Sequence, residues 1–596
     1  MKYTLKRAPF LAAVLLAFGT LCRAAATESA SPATTAQLPV TAVEQMPRLP
    51  EPLAVRDWAA VARSYYDRVL DPQADGDGFP AVFAADGEPG FRMKSYLASK
   101  VSGEALTCLS AVVGAQLVGI DPHDFHGVDY VARCKAWYDP EHGFYRHTVG
   151  DRSPVVHGDI YGYWAAVLGT MLAAQYPDDP QLRQQAVTAA GAFHKIARGM
   201  GCPDRPDFDV LGWDFDRQRP GGRNEPMNRL GHAPSVAWML IVGATLTGDA
   251  DMLTCARATM RWYAENPGHY EVTQMMGPLA AARLNCQGGE PLDMERILAG
   301  WFGDGDPEHH PWRITRGTRL QGITCDGLDG ARWDDDGFYA FTMGSLQGPA
   351  WLIPVARYDQ RYARAIARYA LHAANSARLL QADGLDADHQ DHAAWKARWD
   401  PQNLLFYEGL KSWDPTPDRR LQPYATGDPV LLGWIPGRQR FDPGKYFAER
   451  TAWFGGTSHN LSLYMGNHVG FLGGIVALTD VPGILRWDCL ATDWFHTPAF
   501  PTHLIYNPFE QAKTVTLDLV RPADLYDLVA GEFVAHDAKS GDRLTLAPDQ
   551  AVVLVQVPPG SQLRRRETQL LVGDVVIDHR VRSRDVPISP VSGSSG

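Results

Sequence analysis

Residues 236–265 read VAWMLIVGATLTGDADMLTCARATMRWYAE and contain two helical segments of different character. The first, Val236–Leu246, is apolar on every side, which is typical of a helix that is buried all round. The second, Asp251–Glu265, is amphipathic, because its apolar residues recur along one face. That face is formed by Leu253, Ala256, Met260 and Tyr263. Since only Gly248–Ala250 separates the two segments, the stretch predicts a hairpin of one buried and one half-exposed helix.

The same two kinds of segment alternate along much of the chain. The apolar segments are Glu104–Gly119, Ile160–Tyr176, Val236–Leu246, Val272–Leu284, Phe338–Val355 and Leu461–Leu478. The amphipathic segments are Arg56–Leu70, Val128–Tyr138, Gln181–Arg198, Asp251–Glu265, Leu292–Phe302 and Asp359–Leu380. An amphipathic segment precedes an apolar one six times, and this predicts an inner ring of helices wrapped by an outer ring. We therefore expect a mainly α fold, an (α/α)6 toroid of helical hairpins.

The connections between these segments differ in length. Those that lead out of the apolar segments are short, such as Pro177–Pro180 and Gly248–Ala250. Those that lead into the apolar segments are often long, namely 71–102, 139–158, 199–232, 303–335 and 382–458. In an (α/α)6 toroid these loops emerge at one end of the ring, and long loops in a compact domain are usually functional. We therefore expect a ligand cleft at that rim.

Beyond about Val481 the apolar pattern changes to a period of two residues, which favours strands. The candidate strands are His503–Tyr506, Thr514–Leu519, Asp524–Leu528, Arg543–Leu546 and Val552–Val557. They predict a small C-terminal antiparallel β-sandwich. The expected organisation is a signal peptide over 1–26, a disordered leader over 27–52, the toroid over 53–485, the sandwich over 486–580 and a disordered tail over 581–596.

The first 26 residues have the features of a secretory signal peptide. Lys2, Lys6 and Arg7 form a positive region, Phe10–Cys22 is an apolar region too short to span a bilayer, and Ala24–Ala26 suits cleavage. We therefore expect a secreted or periplasmic protein with no membrane anchor after cleavage.

Charge and motifs exclude several classes of partner. The formal net charge is −12 and the basic residues are scattered, whereas a nucleic-acid partner would require a basic face. We expect no metal or other cofactor, because no phosphate-binding or dinucleotide fingerprint follows a strand, and Gln73–Gly78 and Asp386–His392 lack metal-site spacing. Cys108, Cys134 and Cys255 fall within helical patterns, which indicates buried apolar thiols.

The long loops and the starts of the apolar segments are rich in carboxylates, aromatic residues, Arg, His and Asn. Glycoside hydrolysis requires one protonated carboxyl group and a second carboxylate opposite it. The candidate catalytic residues are Asp334, Asp335, Asp336, Glu408, Asp159 and Glu225. The candidate substrate-binding residues are Trp213, Asp214, Arg223, Asn228, His232, Trp333, Tyr407, His459, Asn460, Tyr464 and His468.

Several candidates have an equally simple structural interpretation. An aspartate at a helix start, such as Asp159 or Asp336, is commonly an N-cap. Glu408 is either a carboxyl group whose pKa is raised by apolar surroundings or a salt-bridged part of the scaffold. Trp213 and Trp333 are either sugar-stacking surfaces or core aromatics.

The chain resembles the six-hairpin glycosidase superfamily, whose members are (α/α)6 toroids that include glycoside hydrolases and polysaccharide lyases. The resemblance covers about residues 54–480 and rests on six helical hairpins with acids at the rim. The segment 503–557, with Tyr506-Asn507-Pro508 and Leu525-Tyr526-Asp527, is similar to the small sandwich that closes many glycosidases. No single family's catalytic motif matches, so the resemblance assigns no residue a role.

Three functions remain open from the sequence. The first is an exported glycoside hydrolase that acts on oligo- or polysaccharide through a carboxylate pair. The second is a polysaccharide lyase on a uronate-containing polymer, which requires a His or Tyr base and a Tyr acid. The third is a non-catalytic sugar-binding or scaffold protein, since a fold does not determine a function.

Overall fold

The computed structural model describes residues 34–97, 101–222, 232–269, 271–303, 312–317, 319–320, 323–333, 337–384, 393–412, 424–426 and 461–579. All described α-helices end by Gly473, and the regular elements described after it are strands. The α-helices are α1 Thr41–Glu44, α2 Trp58–Val69, α3 Ala105–Leu117, α4 Tyr130–Cys134, α5 Tyr163–Gln175, α6 Pro180–Gly199, α7 His232–Thr247, α8 Ala250–Glu265, α9 Gly277–Cys286, α10 Met294–Trp301, α11 Thr342–Leu352, α12 Val355–Tyr358, α13 Ala363–Ser376, α14 Ala393–Trp399, α15 Leu463–Gly466 and α16 Val469–Gly473.

The apolar helices contact one another in a closed sequence. Helix α3 packs on α5, α5 on α7, α7 on α9, α9 on α11, α11 on α16, and α16 back on α3. Every residue of α11 is buried, as are the first eleven residues of α3 and of α5. This burial is the physical reason for their continuous apolar sequences, since no side of these helices faces water.

The amphipathic helices lie outside this sequence of contacts. Helix α2 packs on α16 and α3, α6 on α5 and α7, α8 on α7 and α9, α10 on α9, and α13 on α11. Helices α2, α4, α6, α8 and α10 share an aspartate N-cap whose side chain accepts a backbone N–H of the first turn. These caps are Asp57, Asp129, Asp179, Asp249 and Asp293. By contrast, α3, α5, α9 and α11 begin without a side-chain cap.

Glycines allow the first and last apolar helices to meet. A Cβ at Gly470 in α16 would overlap the backbone of Gly114 in α3, and a Cβ at Gly114 would overlap the hydroxyl of Tyr66. That hydroxyl donates to Asn467 O at 2.8 Å and accepts from Gly470 N at 2.9 Å. The backbones therefore approach closely where the sequence of contacts closes.

The strands form several separate antiparallel sheets. They are β1 Val82–Phe83, β2 Arg92–Lys94, β3 Val101–Ser102, β4 Tyr138–Asp139, β5 Phe144–Tyr145, β6 Val155–His157, β7 Gly212–Asp214, β8 Arg219–Gly221, β9 Trp312–Ile314, β10 Arg319–Leu320, β11 Ile323–Thr324, β12 Asp329–Trp333, β13 Gly337–Phe341, β14 Gly409–Ser412, β15 Tyr424–Thr426, β16 Val476–Leu478, β17 Leu485–Asp488, β18 Thr502–Tyr506, β19 Lys513–Thr516, β20 Ala523–Asp527, β21 Glu532–Ala538, β22 Arg543–Leu546, β23 Ala551–Val557, β24 Leu563–Arg566, β25 Gln569–Val572 and β26 Val575–Asp578.

Three of the predicted apolar helices differ from the structure at their ends. The segment Phe338–Val355 begins as strand β13, whose aromatic residues suit a ladder with β12 and β14, and becomes helical only at Thr342. The segment Leu461–Leu478 is divided into α15, α16 and strand β16. The segment Val272–Leu284 starts with a 3₁₀ turn, Val272–Gln274, before α9.

The long connections contain short strands rather than irregular loop alone. Strand β6 from connection 139–158 pairs with β7 from connection 199–232, and β7 also pairs with β8. Strands β9 and β12, from 303–335, and β14 and β15, from 382–458, join β13 in one sheet of order β15-β14-β13-β12-β9. These pairings link connections that are far apart in sequence, so local periodicity does not reveal them.

The C-terminal strands form a six-stranded sheet of order β16-β17-β18-β23-β20-β21 and a separate β19–β22 pair. The β19–β22 pair and the larger sheet share a small apolar cluster, formed by Ile484, Ile505, Val515, Leu546, Val552 and Leu554. Structure and prediction agree on strands within all five candidate segments. The larger sheet begins earlier than the sequence pattern suggested, because β16 and β17 already belong to it. Strands β18 and β23 pack on α13.

Two further findings concern apolar groups. None of the described helices combines the length and apolarity needed to cross a lipid bilayer. Cys108, Cys134 and Cys255 are buried and form no disulfide, in agreement with the prediction of buried apolar thiols.

Candidate active site

The N-terminal ends of α3, α5 and α15 lie close together. Tyr464 Oη in α15 is 3.2 Å from Tyr161 Oη, which precedes α5 by two residues. The backbone N–H of Tyr464 donates to Ser95 O at 3.0 Å, and the N–H of Ala105, the first residue of α3, donates to His147 O at 2.7 Å. These bonds place Ser95 of connection 71–102 beside α15 and His147 of connection 139–158 beside the start of α3.

The other apolar helices begin near the same place. The 3₁₀ turn before α9 contacts α5, α7 and α11, and Thr273 O in this turn accepts a hydrogen bond from Ser235 Oγ in α7. The first residue of α11, Thr342, donates its N–H to Glu408 O at 2.9 Å. The positive dipole ends of α3, α5, α9 and α11 favour negative charge at this end of the molecule.

A cavity of about 220 Å³ opens beside the start of α5. Its walls include Arg146, His147, His157, Asp159 and Tyr161. The ring of Tyr161 is about half exposed, which suits it to stack against the C–H face of a sugar. A cavity with carboxyl, imidazole and aromatic groups is the kind of site in which a small polar ligand binds.

Asp159 combines a structural bond with an acidic group at the cavity. Its Oδ1 accepts the N–H groups of Tyr161 and Gly162, each at 3.0 Å. Both N–H groups lie in the turn before Tyr163, the first residue of α5, so Asp159 stabilises that turn and is not the N-cap of the helix. Burial raises the pKa of the Asp159 carboxyl above its ordinary value, although nearby His157 and the two N–H groups oppose the increase. A carboxyl group with a raised pKa is suited to donate a proton.

His147 lies between Asp159 and Glu104. Its Nε2 is 4.0 Å from Glu104 Oε1, and its ring meets the ring of Tyr161 edge-on with centroids 5.0 Å apart. Burial lowers the pKa of His147, while Glu104 and Asp159 act in the opposite direction. Glu104 Oε2 also accepts a hydrogen bond from Ser95 Oγ at 2.7 Å.

Glu408 is a buried carboxylate at the start of β14. Its Oε2 accepts the hydroxyl hydrogen of Tyr96 at 2.6 Å, and only 1% of the residue is exposed. Tyr96 itself bridges to Ser462 through the backbone, directly before α15. Glu408 is therefore a buried, hydrogen-bonded carboxyl group close to the start of α15.

Glu271 is a third buried carboxyl group and was not predicted. It precedes the 3₁₀ turn before α9, is 9% exposed, and interacts electrostatically with Tyr464. Its backbone has φ 49° and ψ −164°, a conformation that non-glycine residues rarely adopt. Strained residues of this kind cluster at functional sites, where the surrounding structure holds them in place.

Four of the predicted binding residues are buried inside the protein, namely Trp213, Asp214, Tyr407 and His468. Trp213 is 1% exposed and lies against Gly199 at the end of α6. Asp214 accepts the backbone N–H groups of Asp216 and Arg217 in the β7–β8 turn. Tyr407 is fully buried, with Lys396 Nζ 5.0 Å from its ring centroid.

His468 lies in the core between α11 and α16. It is fully buried, and its Nδ1 is 2.5 Å from Gln347 Nε2. Trp351 Nε1 donates to Gln347 Oε1 at 3.2 Å, so the amide nitrogen of Gln347 is the group that faces His468. Nδ1 of His468 is therefore an acceptor, and burial lowers the pKa of the ring to about 3. His468 is a neutral core residue.

The remaining predicted site residues are only partly described or lie outside the described residues. Asp334, Asp335, Asp336, Arg223, Glu225, Asn228, His459 and Asn460 fall in the second group. The backbones of His232 and Trp333 are described, at the start of α7 and at the end of β12. Of the predicted residues with described side chains, Asp159, Glu408 and Tyr464 lie at the common end of the apolar helices.

A sequence signal existed for two of the residues that prediction missed. Glu104 and Glu271 each stand at the start of an apolar segment, as Asp159 does. Tyr96 and His147 lie inside long connections, and their approach to Glu408 and Glu104 depends on the fold alone. The acid that opens an apolar helix is thus a better guide to this site than the composition of the loops.

Within the part of the chain that the structure describes, two groups of side chains are spaced closely enough to hold a metal ion, and an arginine contacts each of them. The groups are His194–Asp251–Cys255 and Asp139–Glu141–His142, whose ligand atoms lie within 4.8 Å of one another. Arg198 donates to Asp251 and Arg146 donates to Asp139 Oδ2. Because a guanidinium occupies the carboxylate in each group, these are ion-pair networks rather than sites for a cation.

The chain is similar to solved structures of glycoside hydrolases. They include a GH127 β-L-arabinofuranosidase from Geobacillus stearothermophilus T6, with 14% identity over 88% of this chain and 85% of that one and a TM-score of 0.35. A second GH127 β-arabinofuranosidase has 10% identity over 89% and 84%, with a TM-score of 0.35. A metagenome-derived family 9 endoglucanase has 14% identity over 70% and 80%, with a TM-score of 0.34. No protein-family model and no curated protein sequence matches the chain.

Proposed function

We propose that the protein is a glycoside hydrolase whose active site is the cavity at the N-terminal ends of the apolar helices. The observation that supports this most directly is the set of carboxyl groups linked to Tyr464. Tyr464 interacts electrostatically with Glu271 and with Tyr96, whose hydroxyl donates to Glu408, and its own hydroxyl is 3.2 Å from that of Tyr161, two residues after Asp159. Hydrolysis of a glycosidic bond requires two carboxyl groups in different protonation states. Burial raises the pKa of Asp159, which suits Asp159 to be the protonated member of such a pair.

In this proposal Asp159 is the general acid. Its proton passes to the glycosidic oxygen as the bond between that oxygen and the anomeric carbon breaks. Glu408 or Glu271 is the second carboxylate, which either removes a proton from the attacking water or first forms a glycosyl-enzyme that water hydrolyses. The run Asp334–Asp336, which follows β12 directly, remains a candidate for this second function.

The wider architecture belongs to the same proposal. We propose that the closed sequence of helix contacts is an (α/α)6 toroid, with the C-terminal sheets forming a β-sandwich that packs on α13. The alternation of apolar and amphipathic helices supports this assignment. The N-terminal residues 1–26 support export, so we propose a secreted or periplasmic enzyme.

A polysaccharide lyase is the second candidate, favoured by the Tyr161–Tyr464 pair beside His147. β-Elimination requires a base and a proton donor of these types, together with a positive group on the uronate carboxylate. Arg146 is the arginine in the cavity wall, but its Nε and Nη2 both donate to Asp139 Oδ2, at 3.0 and 2.9 Å. Because its charge is already balanced, hydrolysis of a neutral sugar is the better match.

One screen separates the candidate functions. The purified protein is incubated with neutral and uronate-containing polysaccharides, and both reducing ends and the ultraviolet absorbance of unsaturated uronates are measured. New reducing ends without that absorbance support a hydrolase, whereas both together identify a lyase. Sugar binding without turnover over several days would identify a non-catalytic protein and contradict the proposal.

A further inference from the structure

Two residues before Glu271 along the chain, His269 forms a buried pair with Asp329. His269 Nε2 is 2.6 Å from Asp329 Oδ1, and both side chains are 0% exposed. The ring of Trp301 packs edge-on against His269 at 5.6 Å between centroids. Burial raises the pKa of Asp329, although the contact with His269 opposes the increase. This pair is separate from the cavity and from the carboxyl groups assigned above.

Asp329 is fixed to the start of α11. Its backbone N–H donates to Ser345 Oγ at 3.0 Å, and its Oδ2 occupies the position that a Cβ of Gly344 would fill. Asp329 also opens β12, which pairs with β9 and β13 and leads towards Trp333. The aspartate is therefore a rigid attachment point in the wall of the helical region.

His269 connects that attachment point to the segment that carries Glu271. Only one residue separates the two along the chain, and on the other side Gly268 O accepts a hydrogen bond from Tyr263 Oη at 2.7 Å. Glu271 has a backbone conformation that persists only when its surroundings hold it. A hydrogen-bonded side chain two residues away is a direct means of holding it.

We propose that the His269–Asp329 pair is a positioning device that holds Glu271 in its strained conformation and so directs its carboxyl group towards Tyr464. This inference rests on the proposed function, in which Glu271 belongs to the reacting carboxyl groups. The pair touches no substrate, and it also fixes the segment before α9 relative to β12, which leads to the acidic run Asp334–Asp336.

Two variants of His269 test this inference. His269→Phe keeps an aromatic ring against Trp301 but removes the donor to Asp329, whereas His269→Gln retains an N–H group that can reach Asp329. Because a small misplacement of a catalytic group reduces the rate about 100-fold, we expect His269→Phe to lower kcat by about that factor with KM nearly unchanged. His269→Gln should restore most of kcat.

The matched control is His372, another fully buried histidine, which lies on the outer helix α13. Its Nε2 is 2.6 Å from Pro47 O. His372→Phe should lower the melting temperature and leave kcat per folded molecule unchanged. A folded His269→Phe protein with wild-type kcat would overturn the inference, as would an equal loss in the glutamine variant.

Crystal structures of the wild type and both variants separate failure of this inference from failure of the proposed function. If the wild type cleaves no sugar, the proposed function fails. The backbone φ and ψ of Glu271 in the crystal structures then still test the positioning function of the His269–Asp329 pair. Movement of its φ out of the positive region in His269→Phe, with retention in His269→Gln, supports the positioning function. An unchanged φ and ψ in His269→Phe contradicts it.

Discussion

At the scale of single residues, Asp159 shows how one side chain can serve the fold and the chemistry. Oδ1 accepts two N–H groups that lead into α5, and the same carboxyl group lines the cavity. A hydrogen-bond acceptor is all that the first task requires, whereas proton donation requires a titratable group. The two tasks can therefore be separated by a substitution that keeps the acceptor.

We expect Asp159→Asn to lower kcat by about 10²–10⁴-fold, the usual contribution of a general acid, because an amide cannot release the proton. Its melting temperature should remain close to that of the wild type, since the amide oxygen can still accept the N–H groups of Tyr161 and Gly162. The control is Asp249→Asn, which keeps an equivalent cap on α8, where Asp249 accepts the N–H of Asp251 at 2.9 Å. Full activity in Asp159→Asn would remove Asp159 from the mechanism.

Buried histidines give the protein an acid-sensitive stability. The folded protein holds the pKa of His468 at about 3, against 6.5 in the unfolded chain, because burial disfavours its charged form. Between these pH values the unfolded chain binds a proton that the folded protein does not. The contribution of neutral His468 to the free energy of unfolding is therefore complete above pH 6.5 and is lost as the pH falls towards 3. His372, with a pKa of about 4, acts in the same direction.

We expect the free energy of unfolding to decrease as the pH is lowered from about 6.5, and to decrease less steeply in His468→Gln. Glutamine retains an acceptor for the Gln347 amide and has no proton to bind. Urea unfolding at several pH values measures both slopes. Identical slopes in the two proteins would contradict the assignment of His468 as a neutral core residue.

The sequence located part of the candidate site, and burial explains which part. Asp159, Glu408 and Tyr464 were found because polar residues beside apolar helices are conspicuous. Trp213 and His468 also lie in or beside the predicted apolar segments and long connections, yet the structure places both side chains in the core. A one-dimensional pattern gives the neighbours of a residue along the chain but not its depth, so core and rim side chains were indistinguishable.

At the scale of helices and strands, the helices could be predicted well because apolar residues recur at helical spacing along their buried faces. Both α6 and α8 match their predicted segments to within one residue at each end, and an aspartate cap marks each start. The sheets β6-β7-β8 and β15-β14-β13-β12-β9 were not predicted, because their strands are short and the pairings β6–β7 and β13–β14 join segments distant in sequence. Their formation depends on the helices that bring the connections together.

The crossing of α3 and α16 is the element-scale feature most sensitive to a single methyl group. A Cβ at Gly470 has no space beside the backbone of Gly114. Overpacking of a close-packed interior costs about 1–3 kcal/mol, and we expect at least this loss in Gly470→Ala. Thermal or urea unfolding measures it.

The matched control for this crossing is Gly191→Ala in the outer helix α6, where no atom lies within 4 Å of an added Cβ. Alanine is the better helix former, so this change should stabilise the protein by about 0.5–1 kcal/mol. Opposite signs for the two substitutions would support a closed sequence of apolar helices, and a neutral Gly470→Ala would argue against a tight crossing.

At the scale of the whole molecule, the helical region and the C-terminal sheet share one interior. A single apolar cluster runs from Val40 to Ile577 and includes residues of both. Buried polar groups also cross between them. Arg357 Nη1 donates to Asp493 Oδ2 at 2.7 Å, and Tyr358 Oη donates to the same oxygen at 2.7 Å.

Continuity of the interior predicts that both regions unfold together, unlike domains joined by a small polar interface. We expect a single calorimetric transition for the wild type. Asp493→Asn should shift that whole transition to lower temperature, because breaking a buried ion pair costs about 3–5 kcal/mol. Asp574→Asn is the control, since its partner Arg564 is exposed and a surface pair contributes little. Two separate transitions, with only one of them moved by Asp493→Asn, would show that the sheet and the helices fold independently.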